Sequence, residues 1–254
     1  MTPNVAWETI GITKHFGGIS ATNAMLSTCK LKPGDKVLEI GCGTGYTSCM
    51  LAKRFNAMVT AVDISGKLLQ AARKRAKSQG IYGIRFIRAD VCKLPFKSNS
   101  FDFVIAESVL SLTDASQAAS EIYRVLKGKG TFCDNEVTYI HKPSEEEKRY
   151  FATSLGTNVT ILLAKEWKHL FRKAGFTRVH AESFKLNTLE DFRSHLAIDG
   201  FWKTISGFGM IFEKRFRSTY LNASLLKQWM RFFRFAGYGI YACKKYGRHS
   251  KKLR

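Results

Sequence analysis

The chain has 254 residues, of which 45% are hydrophobic and 24% charged, and its formal net charge is +21. This length allows one large domain with a well-buried core. No uncharged apolar run is long enough to cross a bilayer, and no basic-then-apolar start predicts a secretory signal. The positive charge indicates an anionic partner, such as a nucleic acid, a membrane surface or an acidic protein.

Cysteine usage bears on the compartment and on the kind of site. Six cysteines are scattered along the chain, and none forms a C-x-x-C pair. This spacing predicts reduced thiols rather than a disulfide framework or a zinc site. We therefore expect a cytoplasmic protein without a bound metal. Peripheral contact with a membrane is compatible with that location.

The first predicted element is a short helix capped by Ser20, with Ala21, Ala24, Met25 and Thr28 on one side. Apolar runs then predict seven strands, at residues 37–40, 57–62, 84–87, 101–106, 131–139, 176–184 and 238–243. Amphipathic helices separate several of these strands, and two of the helices are predicted to be capped by Ser65 and Asp114. This alternation is typical of a doubly wound parallel sheet.

A glycine turn follows the first predicted strand. Gly41, Gly43 and Gly45 stand at alternate positions before a predicted helix, where they let the backbone bend and let a ligand lie on the main chain. A strand, a glycine turn and a helix together form a nucleotide-type site at the carboxyl end of a parallel sheet. The dinucleotide fingerprint places its third glycine one residue later, where Tyr46 stands. The spacing therefore argues against NAD and against a pyrophosphate ligand.

The run Glu39-Ile-Gly41-Cys-Gly43-Thr-Gly45 resembles the acidic-x-G-x-G-x-G motif of class I S-adenosylmethionine-dependent methyltransferases. The resemblance implies S-adenosyl-L-methionine as cofactor and a seven-stranded, mostly parallel, Rossmann-like α/β sheet with an antiparallel C-terminal hairpin. It places the cofactor-binding core at residues 31–186 and 237–245. Residues 1–30 are expected to form an N-terminal helical segment over the cofactor, and residues 187–236 an inserted helical lid.

Acidic residues at strand ends are the main cofactor candidates. Asp63 ends the second predicted strand, where a carboxylate can accept hydrogen bonds from both ribose hydroxyls; the alternative is an Asp that only begins a helix. The resemblance implies that Asp90 accepts from the adenine amino group, unless it is only a loop residue. The full set of predicted cofactor-binding residues is Glu39, Gly41, Cys42, Gly43, Gly45, Asp63, Ile64, Asp90, Val91 and Glu107.

The methyl acceptor is expected near the end of the fourth strand. The resemblance implies that Glu107 and Ser108 face it there, and His15, Asn135 and Glu136 are predicted to frame the same cleft. Glu107 and His15 are the candidate catalytic groups. Ser108, Asn135, Glu136 and the aromatic Trp202 are the candidate substrate contacts. The alternative for each polar residue is a purely structural role, and methyl transfer needs a base only when the attacking atom keeps its proton.

The inserted segment and the end of the chain carry aromatic and basic residues. The aromatic residues of the insertion are either the core of a small helical cap or an apolar substrate pocket. An amphipathic helix over 225–234 places Lys227, Arg231 and Arg234 on its polar face. A basic tail covers 246–254. These features predict either a solvated surface or contact with an anionic membrane or RNA.

The sequence, with this resemblance, therefore predicts methyl transfer from S-adenosylmethionine to a small, apolar or lipid-like acceptor by in-line displacement. The pattern is most similar to the branch with quinone, sterol and arsenite methyltransferases. A methyltransferase that acts on RNA or a protein is the first alternative, although no Asn-Pro-Pro-Tyr type tetrapeptide follows the fourth strand. A non-catalytic protein that binds the cofactor is the second. The acceptor and the oligomeric state stay open.

Overall fold

The computed structural model describes residues 15–149, 159–186 and 234–246. The main helices are α1 (Gly18–Cys29), α2 (Tyr46–Phe55), α3 (Gly66–Ser78), α4 (Ala115–Val125) and α5 (Ala164–Lys173). The strands are β1 (Lys36–Ile40), β2 (Met58–Asp63), β3 (Arg85–Arg88), β4 (Phe101–Glu107), β5 (Leu126–Tyr139), β6 (Leu162–Leu163), β7 (Arg178–Lys185) and β8 (Ala236–Lys244). Single 3-10 turns occupy Val91–Lys93 and Leu110–Leu112.

The strands form one sheet in the order β3-β2-β1-β4-β5-β8-β7. The first five of these strands pair in parallel, and β8 runs antiparallel to both β5 and β7. The predicted doubly wound fold with an antiparallel C-terminal pair is thus confirmed. The predicted number of seven strands omits the two-residue β6, which pairs with the end of β5. A run that short has no periodicity from which sequence could reveal it.

The helices cover both faces of the sheet. Apolar side chains of α1, α2 and α3 pack on one face, among them Met25, Leu51 and Leu69. Those of α4 and α5 pack on the other face, including Ile122, Trp167 and Phe171. Strands buried on both faces read as nearly continuous apolar runs, which explains why the sequence reveals them well.

Of the three predicted helix caps, Ser65 and Asp114 are present and Ser20 is wrong. Ser65 Oγ accepts from the amide of Leu68 at 3.3 Å, and Asp114 Oδ1 accepts from Gln117 at 3.0 Å. Helix α1 instead begins at Gly18 after Gly17, so Ser20 lies inside its first turn. Gly17 has φ +82°, and a Cβ there would lie 2.6 Å from the ring of Tyr238. This tertiary contact, which sequence does not show, sets where the helix begins.

The buried face of α1 agrees with the predicted one at Ala21 and Met25 and differs from it elsewhere. Its buried residues include Thr22, Met25, Leu26 and Cys29, whereas Ala24 and Thr28 are exposed. The segments 1–14, 187–233 and 247–254 lie outside the described residues, and they contain most of the predicted lid and tail. Ala236, assigned to the lid, is the first residue of β8. Within the described ranges, no helix is both long and apolar enough to span a membrane.

Candidate active site

The glycine turn lies where β1 ends and α2 begins, at the carboxyl edge of the sheet. Gly41, Gly43 and Gly45 have φ values of +64°, +52° and +77°, which favour glycine. A Cβ at Gly41 would lie 2.3 Å from Cγ2 of Val109, and one at Gly45 would lie 2.8 Å from Cβ of Ala72. A Cβ at Gly43 would meet no atom within 4 Å. Two of the glycines therefore permit close packing, and Gly43 faces open space that a ligand could occupy.

Asp63 joins the end of β2 to this turn. Its Oδ2 accepts a hydrogen bond of 2.8 Å from the amide of Gly43, and its Oδ1 accepts one of 2.8 Å from the amide of Ser65. The side chain is therefore held at the rim of the turn. Ile64 beside it is 62% exposed at the same edge. An apolar ring bound there would cover it.

Asp90 and Val91 follow β3 at the same edge. The carboxylate of Asp90 caps a 3-10 turn, because its Oδ1 accepts from the amide of Cys92 at 2.8 Å. Val91 is buried in the core cluster that includes Val62. Asp90 thus has a local structural role, and its predicted contact with adenine stays a prediction.

A buried carboxyl group lies beneath the glycine turn. Glu39 is 5% exposed and accepts a hydrogen bond from the hydroxyl of Ser48 on α2. Burial raises the pKa of Glu39 to about 8, and the negative charges of Glu107 and Asp63 add to this effect. The side chain of Cys42 is also buried, among apolar residues, and burial raises the pKa of its thiol. Cys42 therefore presents its backbone, rather than its sulfur, to the turn.

Glu107, at the end of β4, is the centre of a polar cluster. Its Oε2 accepts a hydrogen bond of 2.6 Å from the hydroxyl of Thr22 on α1. Its Oε1 accepts one of 2.7 Å from the hydroxyl of Thr47, which lies in the first turn of α2. His15 Nε2 is 3.3 Å from Glu107 Oε2. The carboxylate is thus fixed between two helices, directly beside the glycine turn.

Asn135 holds the other side of the His15 ring. Its Nδ2 donates to the carbonyl of Phe16 at 2.8 Å and lies 3.4 Å from His15 Nδ1. β5 pairs Asn135 with Glu107, so the two side chains lie on the same face of the sheet. The structure therefore brings together three predicted residues, Glu107, His15 and Asn135, in one contiguous cluster.

Ser108 begins the loop that follows β4. It has φ +56°, an uncommon conformation for a residue with a side chain, and its amide donates to the carbonyl of Asn135 at 2.7 Å. Its buried hydroxyl has no hydrogen-bond partner within the part of the chain that the structure describes. This hydroxyl therefore has hydrogen-bonding capacity that the described residues do not use.

Glu136 lies on the opposite face from Glu107, because successive side chains of a strand alternate. It is fully buried, and its Oε1 accepts from the amide of Leu110 at 2.6 Å. Burial raises its pKa to about 7, and hydrogen bonds from the loop residues lower it in part. Glu136 thus supports the loop through Oε1, and its predicted contact with the acceptor stays a prediction.

One predicted contact is not described, and several unpredicted residues belong to the polar cluster and the adjoining loop. Trp202 lies outside the described residues. Sequence reasoning missed Thr22, Thr47 and Val109, although Thr47, two residues past Gly45, had a position that could have revealed it. No group of three or more His, Cys, Asp or Glu side chains is placed to hold a metal ion among the described residues.

Comparison with known proteins decides the family. A model described as "Methyltransferase domain" matches residues 38–133. The ubiquinone/menaquinone biosynthesis C-methyltransferase UbiE of Neisseria meningitidis serogroup B is 34% identical over 181 residues, which are 70% of each chain. The chain belongs to the class I S-adenosylmethionine-dependent methyltransferases. An uncharacterized methyltransferase of Bacillus subtilis, YodH, is 32% identical to this methyltransferase over 176 residues, covering 69% of this chain and 74% of YodH.

Solved structures support the same fold for this methyltransferase. Phosphoethanolamine N-methyltransferase 2 of Haemonchus contortus, in complex with S-adenosyl-L-methionine, superposes with a TM-score of 0.69 at 22% identity. That match covers 96% of this chain and 56% of the other. The [4+2]-cyclase SpnF gives a TM-score of 0.76 at 20% identity and covers 96% and 93% of the two chains.

The residues of this methyltransferase fit S-adenosylmethionine as cofactor. The open space at Gly43 leaves room for a ligand against the main chain, and the fixed carboxylate of Asp63 lies beside it. Glu39 and Glu107 supply further acidic groups near the turn. The Asp63 carboxylate, as a charged acceptor beside this space, suits a ligand with hydroxyl groups.

Proposed function

We propose that this methyltransferase transfers a methyl group to a ring carbon of a small, apolar, hydroxylated aromatic acceptor of the quinol type. The relatives named as ubiquinone/menaquinone biosynthesis C-methyltransferases support this class of acceptor. The observation that carries the proposal is the Glu107 carboxylate, which two threonine hydroxyls hold 3.3 Å from His15 beside the glycine turn. A buried carboxylate and imidazole are suited to take a proton from an acceptor hydroxyl.

The cofactor would lie across the carboxyl edge of the sheet. Its methionine end would rest on the backbone of Gly41, Cys42, Gly43 and Gly45, with Glu39 beneath. Asp63 would accept hydrogen bonds from the ribose hydroxyls, and Ile64, Asp90 and Val91 would surround the adenine. Bound in this way, S-adenosylmethionine supplies an electrophilic methyl group and a thioether as leaving group.

The protein residues would then have two tasks, proton transfer and alignment. Glu107, with His15 beside it, accepts the hydroxyl proton of the acceptor, which makes the ring carbon more nucleophilic. The bound cofactor would supply the methyl group to that carbon and would leave as the thioether, and the proton displaced from the ring carbon would pass to solvent water. We propose that Ser108 and Asn135 orient the acceptor, and that Trp202, which lies outside the described residues, also contacts it. Holding the reacting atoms in line supplies much of the rate.

We also propose that the enzyme works at the periphery of an anionic membrane, where an apolar acceptor would be found. The net charge of +21 supports this, and α3 carries an exposed basic face of Lys67, Arg73, Lys74 and Lys77. Each basic residue near such a surface contributes about 1 kcal/mol. Co-sedimentation with anionic and with neutral vesicles tests this, beside a filter assay with RNA. Binding to RNA alone would favour an RNA substrate, and binding to neither would contradict a role for the charge.

The acceptor class can be identified with methyl-labelled cofactor and cell fractions. Label is expected in the organic-solvent extract, in molecules that comigrate with quinols, and not in RNA or protein. The Asp63→Ala variant is the control for transfer that needs bound cofactor. Label in RNA or protein would overturn the acceptor class. Cofactor binding without label in any fraction would favour a non-catalytic binding protein.

A further inference from the structure

Two buried cysteines meet between α1 and the centre of the sheet. Cys29 ends α1 and is 2% exposed, and Cys133 lies within β5 and is fully buried. Their Sγ atoms are 2.6 Å apart. Packed heavy atoms usually keep about 3.5–4.0 Å, and a disulfide needs about 2.05 Å. The two sulfurs are thus much closer than packing requires, and a small movement would bring them to bonding distance.

The pair is separate from the other thiols of the chain. Cys243 lies on the neighbouring strand β8, but the register pairs it with Phe132 rather than with Cys133. Its side chain therefore points to the opposite face of the sheet from that of Cys133. Cys49 is buried on α2, and Cys92 is partly exposed near the start of α4. Cys42 belongs to the same apolar cluster, but the close sulfur contact is the one between Cys29 and Cys133, and this contact selects Cys29 as the partner.

We propose that Cys29 and Cys133 form a reversible disulfide when hydrogen peroxide oxidises them, and that this bond ties α1 to β5. In the first step one thiol sulfur attacks a peroxide oxygen, the O–O bond breaks, and a sulfenic acid and one water result. The second thiol sulfur then attacks the sulfenic sulfur, the S–O bond breaks, and a second water leaves as the S–S bond forms. One peroxide is reduced and two thiols are oxidised. A dithiol reductant reverses the reaction.

The tether would act on the active site through α1. This helix carries Thr22, whose hydroxyl holds the Glu107 carboxylate. The contact with Cys133, together with burial, raises the pKa of the Cys29 thiol, so this thiol keeps its proton and reacts slowly while α1 is closed. Oxidation therefore requires α1 to lift from the sheet, and the new bond then keeps it closed. The bond joins positions 104 apart in sequence, so it also restricts the unfolded chain strongly.

Peptide mapping of the full-length protein tests the proposal. After peroxide treatment and alkylation, trypsin should release residues 15–30 linked to residues 130–148, and dithiothreitol should separate them. The thermal midpoint of the oxidised protein should rise by about 5–10 °C. Amide exchange within α1 should slow as well. These changes should be absent in Cys29→Ala and Cys133→Ala, which keep a small apolar side chain, and present in the matched variant Cys49→Ala.

Other oxidation patterns would overturn the proposal. One is oxidation of the more exposed Cys92 without any link between residues 15–30 and 130–148. Another is a link from Cys133 to Cys243, which would show that β8 rather than α1 supplies the partner. A link that forms without raising the thermal midpoint or slowing exchange in α1 would contradict the tether. None of these measurements depends on the methyl acceptor, so the proposed function is tested separately.

Discussion

The backbone amide of Leu110 donates a 2.6 Å hydrogen bond to the fully buried carboxyl group of Glu136. This contact ties the loop after β4 to the neighbouring strand β5. The same loop places Val109 where a Cβ on Gly41 would lie 2.3 Å from its Cγ2. Glu136 is therefore a positioning residue, because it supports the loop that packs against the glycine turn.

Replacing Glu136 should separate this support from chemistry. Glu136→Ala leaves the Leu110 amide without its acceptor and opens a cavity, so the free energy of unfolding should fall by about 2–4 kcal/mol. Turnover should fall with it, since the loop also begins with Ser108. Glu136→Gln keeps an oxygen acceptor and should restore most of both. Urea unfolding and steady-state kinetics measure the two effects, and equal stability of Glu136→Ala and wild type would contradict the role.

Gly43 should be required for the cofactor but not for the fold. Gly43→Ala adds a methyl group into open space, at a backbone cost of about 1–2 kcal/mol for its positive φ. The methyl group should keep the cofactor away from the main chain. Calorimetry should therefore show cofactor binding that is at least tenfold weaker. Gly34→Ala is the matched control, because Gly34 also has a positive φ and open space but lies at the other end of β1. Similar cofactor affinities for the two variants would remove Gly43 from the site.

Asp63 should contribute a large part of the cofactor affinity. Asp63→Ala removes a charged acceptor from the predicted ribose site and frees the amide of Gly43, so binding should weaken by about 2–4 kcal/mol. Asp102→Ala is the comparison, since Asp102 lies at the amino-terminal end of β4, away from the glycine turn, and contacts Lys127. Calorimetry that shows unchanged affinity for Asp63→Ala would return this residue to a purely structural role.

Glu107→Gln should separate binding from chemistry. The amide is similar in size and can still accept from a threonine hydroxyl, so cofactor affinity should stay the same. It cannot take up a proton as a carboxylate does, so turnover should fall by about 100- to 10,000-fold. Glu121→Gln, which changes a carboxylate paired with Arg124 on α4, should leave turnover unchanged. A large loss of cofactor affinity in Glu107→Gln would indicate that Glu107 binds the cofactor instead.

Glu39 should make the cofactor-free protein less stable as the pH rises. Burial raises its pKa from 4.5 to about 8, so the folded state keeps a proton that the unfolded state releases. Its contribution is therefore most favourable at low pH, declines between about pH 4.5 and 8, and is constant above, with a total change of at most about 4–5 kcal/mol. Glu39→Gln should remove this part of the pH dependence. The free energy of unfolding can be measured with urea from pH 5 to 9. If it changes with pH in the same way for wild type and Glu39→Gln, the prediction is wrong.

Short sequence patterns predict the strands of the sheet and the glycine turn, because each of these features depends on residues that are close together in the chain. The run from Glu39 to Gly45 predicts the turn after β1 through its spacing, and its resemblance to a known motif implies the cofactor site beside Asp63. The start of α1 was mispredicted because Tyr238, more than 200 positions away, excludes a side chain at Gly17. The orientation of Glu136 was also hidden, because it depends on the register of β5 against its neighbours. Residues that act through long-range contacts, such as Thr22, were missed for the same reason.

The position of β8 between β5 and β7 has a consequence for synthesis on the ribosome. β7 emerges first, but the strand that must join it to β5 is made about 50 residues later. Until residues 236–244 emerge, β5 and β7 each have an edge with unpaired backbone groups, which are sites for aggregation or chaperone binding. The parallel strands β1 to β5 can pair earlier. We expect chains shortened before Ala236 to fold this part of the sheet and yet aggregate through its open edge.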